Sequence, residues 1–248
     1  MADVQMPLTD HLEELRWRLI KALAAIGVAF AACYYFSEAI FAFLTEPLLI
    51  INRSIGNTDA VHLIGTGVVE AFFTKLKVCF LAALFVASPW IFYQLWLFIA
   101  PGLYDSEKRY AKPFVFFGTL FFVTGAAFCY YLVLPVGYRF FIQQYETIRV
   151  DPQIRISEYL TFTARMLLAF GVTFEMPVIT FFLARLGFVT SAMMLRTVRY
   201  AVLVIFVVAA VLTPGPDVAS QLLMASPLLV LYGVSILVAH LFGKPRET

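Results

Sequence analysis

Residues 169–187, AFGVTFEMPVITFFLARLG, set one carboxylate, Glu175, inside an almost wholly apolar stretch, with Pro177 two residues further on. Ionised burial is expensive unless something compensates, so an acid there serves as a proton site, as a polar partner for another helix, or as a neutral hydrogen-bonded group. Pro177 withholds the N–H that would reach the Thr173 carbonyl and bends a helix at that point. The freed carbonyl, Thr173 and Glu175 are expected to form one polar patch. Two further acids stand out. HLEELRWRL (11–19) puts Glu14 four residues before Arg18, the spacing of a helical ion pair, and FIAPGLYDSEKRYAKPF (98–114) sets Asp105 and Glu107 beside Lys108 and Arg109. Taken alone, both read as solvated or self-paired surface charge.

Other chemistry is absent from the sequence. There is no Walker A loop, no H-E-x-x-H, no G-x-S-x-G and no paired C-x-x-C. His11, His62 and His240 are far apart, and Cys33, Cys79 and Cys129 lie singly inside apolar runs, as buried thiols do. Neither a metal site nor a cofactor is expected, and the protein is expected not to be an enzyme.

The elements that must carry these residues follow from composition. The 248 residues are 62% hydrophobic and 14% charged, against roughly 25% charged in a soluble domain. Such a chain lacks the polar groups to cover a water-facing surface, so it is an all-α integral membrane protein. Apolar runs at 19–36, 72–99, 113–134, 159–183, 198–213 and 222–241 predict six transmembrane helices in a single polytopic domain. The fifth is the shortest: sixteen residues reach about 24 Å, less than a hydrocarbon core of about 30 Å. The residues between the first two runs (37–70) and between the third and fourth (135–157) read as outer loops. Leu8, Leu12, Leu15 and Leu19 give the segment before the first span an apolar stripe, predicting an interfacial amphipathic helix.

An even number of spans puts both ends on one face. Eleven Lys and Arg fall on the segments that are then inside and four on those outside, which predicts both termini cytoplasmic. The net charge of +2 does not point to nucleic acid, because insertion alone accounts for the basic inner loops. The acidic residues before the first run are unlike a signal-peptide n-region, so the first helix is expected to be retained.

Four segments, HLEELRWRL, SPWIFYQLWLFIAPGLYDSEKR, FGVTFEMPV and LTPGPDVASQ, resemble in order and position the signature segments of TatC, the multispanning subunit of the twin-arginine protein translocase. The resemblance covers nearly the whole chain. It implies a glove-shaped bundle with short helices five and six, serving as receptor for twin-arginine signal peptides and as core of a machine that exports folded proteins on the proton-motive force. It implies Glu14 and Glu107 as the recognition acids, Phe98 as the apolar contact beside them, and Arg16 and Arg18 as a basic pair, Arg16 organising the site. The chemistry fits, since a carboxylate accepts the planar fork of a guanidinium, often bidentately. Glu175 would face a polar notch, meeting a single-span TatA/TatB-type partner helix. Pro47, Lys77, Asp217 and Gln221 match positions of structural or assembly importance. Homo-oligomers within a complex and a bacterial or archaeal plasma membrane are expected. Residues 66–72, TGVVEAF, depart from the family's T-x-P-x-E-x-F in lacking the proline, and Ser106 stands where a histidine is common.

Two rival readings differ in what they require. A small-solute secondary transporter using Glu175 as its proton site needs a midplane cage of polar groups and usually an internal repeat. An intramembrane hydrolase needs a nucleophile and base paired at membrane depth. Neither pattern is visible in this sequence.

Overall fold

The computed structural model describes residues 8–54, 62–102, 111–148, 150, 152–213 and 218–243. Among them six helices are long and apolar enough to cross a membrane. The chain runs α1 (Leu8–Tyr35), α2 (Ser37–Ser54), β1 (His62–Ile64), α3 (Glu70–Ile99), α4 (Ala111–Phe128), α5 (Leu134–Thr147), β2 (Gln153–Arg155), α6 (Ile156–Arg185), α7 (Ser191–Leu212) and α8 (Val218–Phe242). The spans are α1, α3, α4 continued by α5, α6, α7 and α8.

Nothing in α1 breaks the ladder, so the expected interfacial helix and the first span form one continuous rod. Its leucine stripe faces away from the protein: Leu12, Leu15 and Leu19 are exposed. The residues packed inward are His11, Glu14, Arg18 and Ala22, continuing to Ala29 and Cys33. That second stripe lies on α3, where Cys79, Ala83 and Ala87 complete a cluster of small side chains. Cys79 Sγ donates to the Cys33 carbonyl at 3.8 Å, and at the other end His11 stacks on Phe98 with centroids 4.4 Å apart. The two helices are therefore antiparallel along their length.

Residues 37–54, expected to be loop, are the helix α2. Leu44 and Leu48 bury its inner face in the main core. Pro47 cannot donate to the Phe43 carbonyl, and the Tyr130 hydroxyl takes that place at 2.6 Å while the two rings stack at 4.4 Å. Tyr159 donates likewise to the Leu44 carbonyl at 2.9 Å. A serine solves the same problem at two other prolines. Ser88, before Pro89, donates to the Phe85 carbonyl at 2.7 Å, and Ser226, before Pro227, donates to the Leu223 carbonyl at 3.2 Å.

The third span also continues past the boundary drawn from its apolar run. Five residues, Cys129–Val133, form a π turn in which the Leu134 N–H reaches back to the Cys129 carbonyl. The wider turn accommodates Pro135, and α5 carries the helix on to Thr147. The fifth span starts earlier than its apolar run, at Ser191, where the Thr190 hydroxyl accepts from the Met193 N–H at 3.3 Å. With 22 residues it reaches about 33 Å, enough to cross. It and α8, with 25, remain the two shortest spans.

α4 and α6 approach closely, through glycines. A Cβ on Gly125 would stand 2.6 Å from the Phe170 carbonyl oxygen, and one on Gly171 would stand 2.8 Å from the Phe122 ring. Phe114, Phe182 and Trp96 fill the space between α3, α4 and α6 towards the ends where α3 and α6 stop.

Candidate functional site

Glu14 stands on the α3-facing stripe of α1, three residues past His11. On α3, Gln94 is one turn before Phe98, the residue on which His11 stacks. Rising about 4.5 Å along α1 and 6 Å back along α3 from that stack puts Glu14 and Gln94 at nearly the same level of the seam. Arg18 Nη2 donates to Glu14 Oε1 at 2.9 Å, with the two side chains 24% and 21% exposed. The pair is unevenly satisfied: Arg18 Nε is buried without a hydrogen-bond partner among the described residues. Gln94 is 4% exposed, and its Oε1 is likewise buried and unpartnered.

The structure thus gathers Glu14, Arg18 and Phe98 at one end of the α1–α3 seam, together with His11 and Gln94. Arg16 lies two residues from both Glu14 and Arg18, about 200° around the helix, and is exposed outside the seam. Glu107 falls outside the described residues. Sequence reasoning passed over Gln94, although an amide on the packed stripe 79, 83, 87, 94, 98 of an apolar helix was the available signal.

Glu175 is 6% exposed, ten residues or about 15 Å from the Arg185 end of α6. Its place one turn beyond Gly171 turns it towards Phe122 of α4. The other carboxylate oxygen, Oε1, is buried with no hydrogen-bond partner among the described residues. This corrects two expectations. Glu175 does not open onto a notch in this conformation, because the close α4–α6 crossing covers it. Nor does it share a patch with Thr173, since two positions apart on a helix is about 200°. Thr173 instead donates to the Ala169 carbonyl at 2.7 Å and lines a cleft of about 320 Å³ with Met176, Thr180, Ile205 and Leu228, between α6, α7 and α8.

The remaining singled-out residues are ties between helices. Lys77 Nζ donates to Thr161 Oγ1 at 3.4 Å, joining α3 to α6. Gln221 Nε2 donates to the Phe206 carbonyl at 2.9 Å, joining α8 to α7. Asp217 lies outside the described residues.

On the opposite face from the Glu14 seam, one carboxylate that sequence reasoning did not single out organises the ends of two spans. Glu70 accepts from the Thr66 N–H at 2.6 Å, the Thr66 hydroxyl at 3.2 Å and the Gly67 N–H at 3.0 Å. Its other oxygen accepts from the Ser157 N–H at 3.3 Å and from the Ser157 hydroxyl. This is the glutamate of the TGVVEAF segment, so a carboxylate-capped turn forms without the missing proline. β1 and β2 pair in parallel beside it, His62 with Gln153 through Ile64 with Arg155. They are parallel because each leads into a helix entering from the same face. Glu70→Ala should raise hydrogen exchange at the Thr66, Gly67 and Ser157 amides by about tenfold or more while leaving the α1–α3 seam unchanged; exchange read by mass spectrometry checks it.

Comparison with known proteins extends over the same chain. The family model described as Sec-independent protein translocase protein (TatC) matches residues 10–227. A relative named Sec-independent protein translocase protein TatC, from Desulforapulum autotrophicum, is 43% identical over 98% of this chain and 87% of its own length. One of the same name from Helicobacter pylori (strain 26695) is 44% identical over 97% and 90%. A solved structure described as the twin arginine translocase receptor TatC superposes with a TM-score of 0.81 at 34% identity, covering 92% of this chain and 97% of that one. A second, in DDM, gives a TM-score of 0.83 over 95% and 100%.

Proposed function

Because the chain belongs to the TatC family, we propose that this multi-pass membrane protein is the twin-arginine signal-peptide receptor and core subunit of a translocase that exports folded proteins on the proton-motive force. The observation that carries the reading is the family match from residue 10 to 227, with Glu14 and Phe98 brought together at one end of the α1–α3 seam. Glu14 accepts one substrate guanidinium and Glu107 the other, and Phe98 supplies the apolar contact. Arg16 and Arg18 form the basic pair, Arg16 organising the site rather than touching substrate. The seam faces the cytoplasm with both termini, in a bacterial or archaeal plasma membrane, and several copies assemble within the complex.

Single-span TatA/TatB-type helices dock on the α6–α8 side, at the cleft lined by Thr173. Gln221 and Asp217 hold the outer turn there, and Pro47 and Lys77 hold the outer face. Glu175, on the opposite, α4-facing side of α6, meets a partner helix there once α4 and α6 part. Family membership leaves the solute-transporter alternative without support, and the protein acts as a receptor rather than an enzyme.

The test is photocrosslinking of inside-out membrane vesicles to a twin-arginine signal peptide and to its twin-lysine form. Wild type is expected to capture the arginine form far more strongly than the lysine form, and the Glu14→Gln, Glu107→Gln double variant to capture neither. Equal capture in all four combinations would reduce the two acids to solvated charge.

A further inference from the structure

We infer that Gln94 is a specificity-determining residue of the Glu14 site, its amide oxygen being the second acceptor for the arginine that Glu14 receives. The inference rests on the receptor reading of Glu14 given above. Three observations carry it. Gln94 is 4% exposed, on the α1-facing stripe of α3 and at the level of Glu14. Its Oε1 has no hydrogen-bond partner among the described residues, a costly state for a buried amide oxygen. Finally, the site already holds a guanidinium: Arg18 binds Glu14 at 2.9 Å, yet leaves Gln94 Oε1 unmet and its own Nε unpaired.

The tether explains the shortfall. Arg18 shares a helix with Glu14, and its i,i+4 geometry brings one guanidinium nitrogen to one carboxylate oxygen. An arginine arriving on a separate chain is free of that constraint. Its guanidinium offers five N–H donors in a rigid plane. It displaces Arg18 from Glu14 and spans the seam to Gln94, satisfying both acceptors at once. The displaced Arg18 side chain leaves the seam for water, where its orphaned Nε is hydrated.

Lysine gains less from the same site. Its ammonium is a compact, strongly hydrated point charge, so it competes for Glu14 but loses more hydration in reaching a buried amide. Removal of Arg18 alone would help both guests equally, since each must displace it. Discrimination between them therefore rests on the acceptor that only the planar fork reaches well. Glu14 supplies charge, and Gln94 supplies the reading of shape.

The experiment is peptide binding by fluorescence anisotropy to the purified full-length protein in nanodiscs, with labelled twin-arginine and twin-lysine signal peptides. Gln94→Leu is expected to weaken the arginine peptide by roughly tenfold or more and to leave the lysine peptide near its wild-type Kd. Gln94→Met, which keeps the side chain's length without the acceptor, should do the same and serves if the leucine variant does not accumulate. Gln94→Glu should retain the arginine preference. The inference is overturned if both apolar variants keep the wild-type ratio of the two Kd values, whether binding is unchanged or falls equally for both peptides, as a structural role would have it. Glu14→Gln separates the two readings: wild-type binding in that variant removes the receptor reading of Glu14 itself, whereas weakened binding there with an unchanged ratio in Gln94→Leu removes only the role of Gln94.

Discussion

Gly125→Leu should lower the amount of folded protein in the membrane several-fold, and Gly125→Ala should lower it measurably, because α4 and α6 cannot remain at their present separation. A single added carbon would lie 2.6 Å from the Phe170 carbonyl oxygen and 2.7 Å from Phe174. The first neighbour is main chain and cannot rotate aside. The helices must part, and close packing between small residues is what holds membrane helices together. Overpacking costs about 1–3 kcal/mol even in cores that relax, enough to change cellular abundance several-fold. Gly27→Ala is the matched control. A Cβ there meets nothing within 4 Å, and alanine is favoured over glycine in a helix interior by about 1 kcal/mol. That variant should accumulate at least as well as wild type. Immunoblotting of membranes after urea washing, with proteinase resistance as the index of folding, checks both. Equal levels for Gly125→Leu and wild type would show that the crossing is looser than the structure has it.

Glu175→Lys should abolish export, whereas Glu175→Gln should leave the protein folded. The side chain is 6% exposed, about 15 Å from the end of its helix, and one of its oxygens has no partner among the described residues. A lysine would carry an unpaired ammonium into the α4–α6 crossing. An isolated charge at the centre of a membrane helix costs about 2.5–3.5 kcal/mol by insertion scales alone. Glutamine keeps the shape and introduces no charge. Comparing accumulation with export of a folded twin-arginine substrate separates the two effects. Glutamine should match wild type in accumulation, and full export by it would further show that ionisation of Glu175 is dispensable. Normal export by Glu175→Lys would contradict the burial described.

The six spans were legible because each buries apolar side chains over a length that only a bilayer demands, and their order followed from the loops. The ends of those spans were less legible, for particular reasons. Hydropathy sees the lipid-facing core of a helix but not its polar turns, so α7 seemed to start near Val198 although Thr190 caps it eight residues earlier. Pro47 and Pro135 lie outside the apolar runs yet within helical backbone, because Tyr130 and a π turn absorb what they break. At the site, Glu14 and Phe98 were named by the family resemblance alone, since their meeting depends on how two helices far apart in sequence are registered. The leucine stripe of α1 does mark its outward side; what hydropathy could not show is that the polar stripe of His11, Glu14 and Arg18 marks the protein. Glu70 stayed hidden because its worth lies in Ser157, 87 residues away.

The parallel strand pair and the Glu70 carboxylate have a mechanical consequence. Together with Lys77–Thr161 they fasten the starts of α3 and α6 at three levels. At the far end of α3, its contact with α1 consists of a ring stack and a polar seam with unsatisfied atoms. Stiffness is thus distributed as in a clothes-peg, sprung at the Glu70 end and yielding at the jaws. Glu14 stands at the end of α3 farthest from those three fastenings, where helix movement is least constrained by hydrogen bonds.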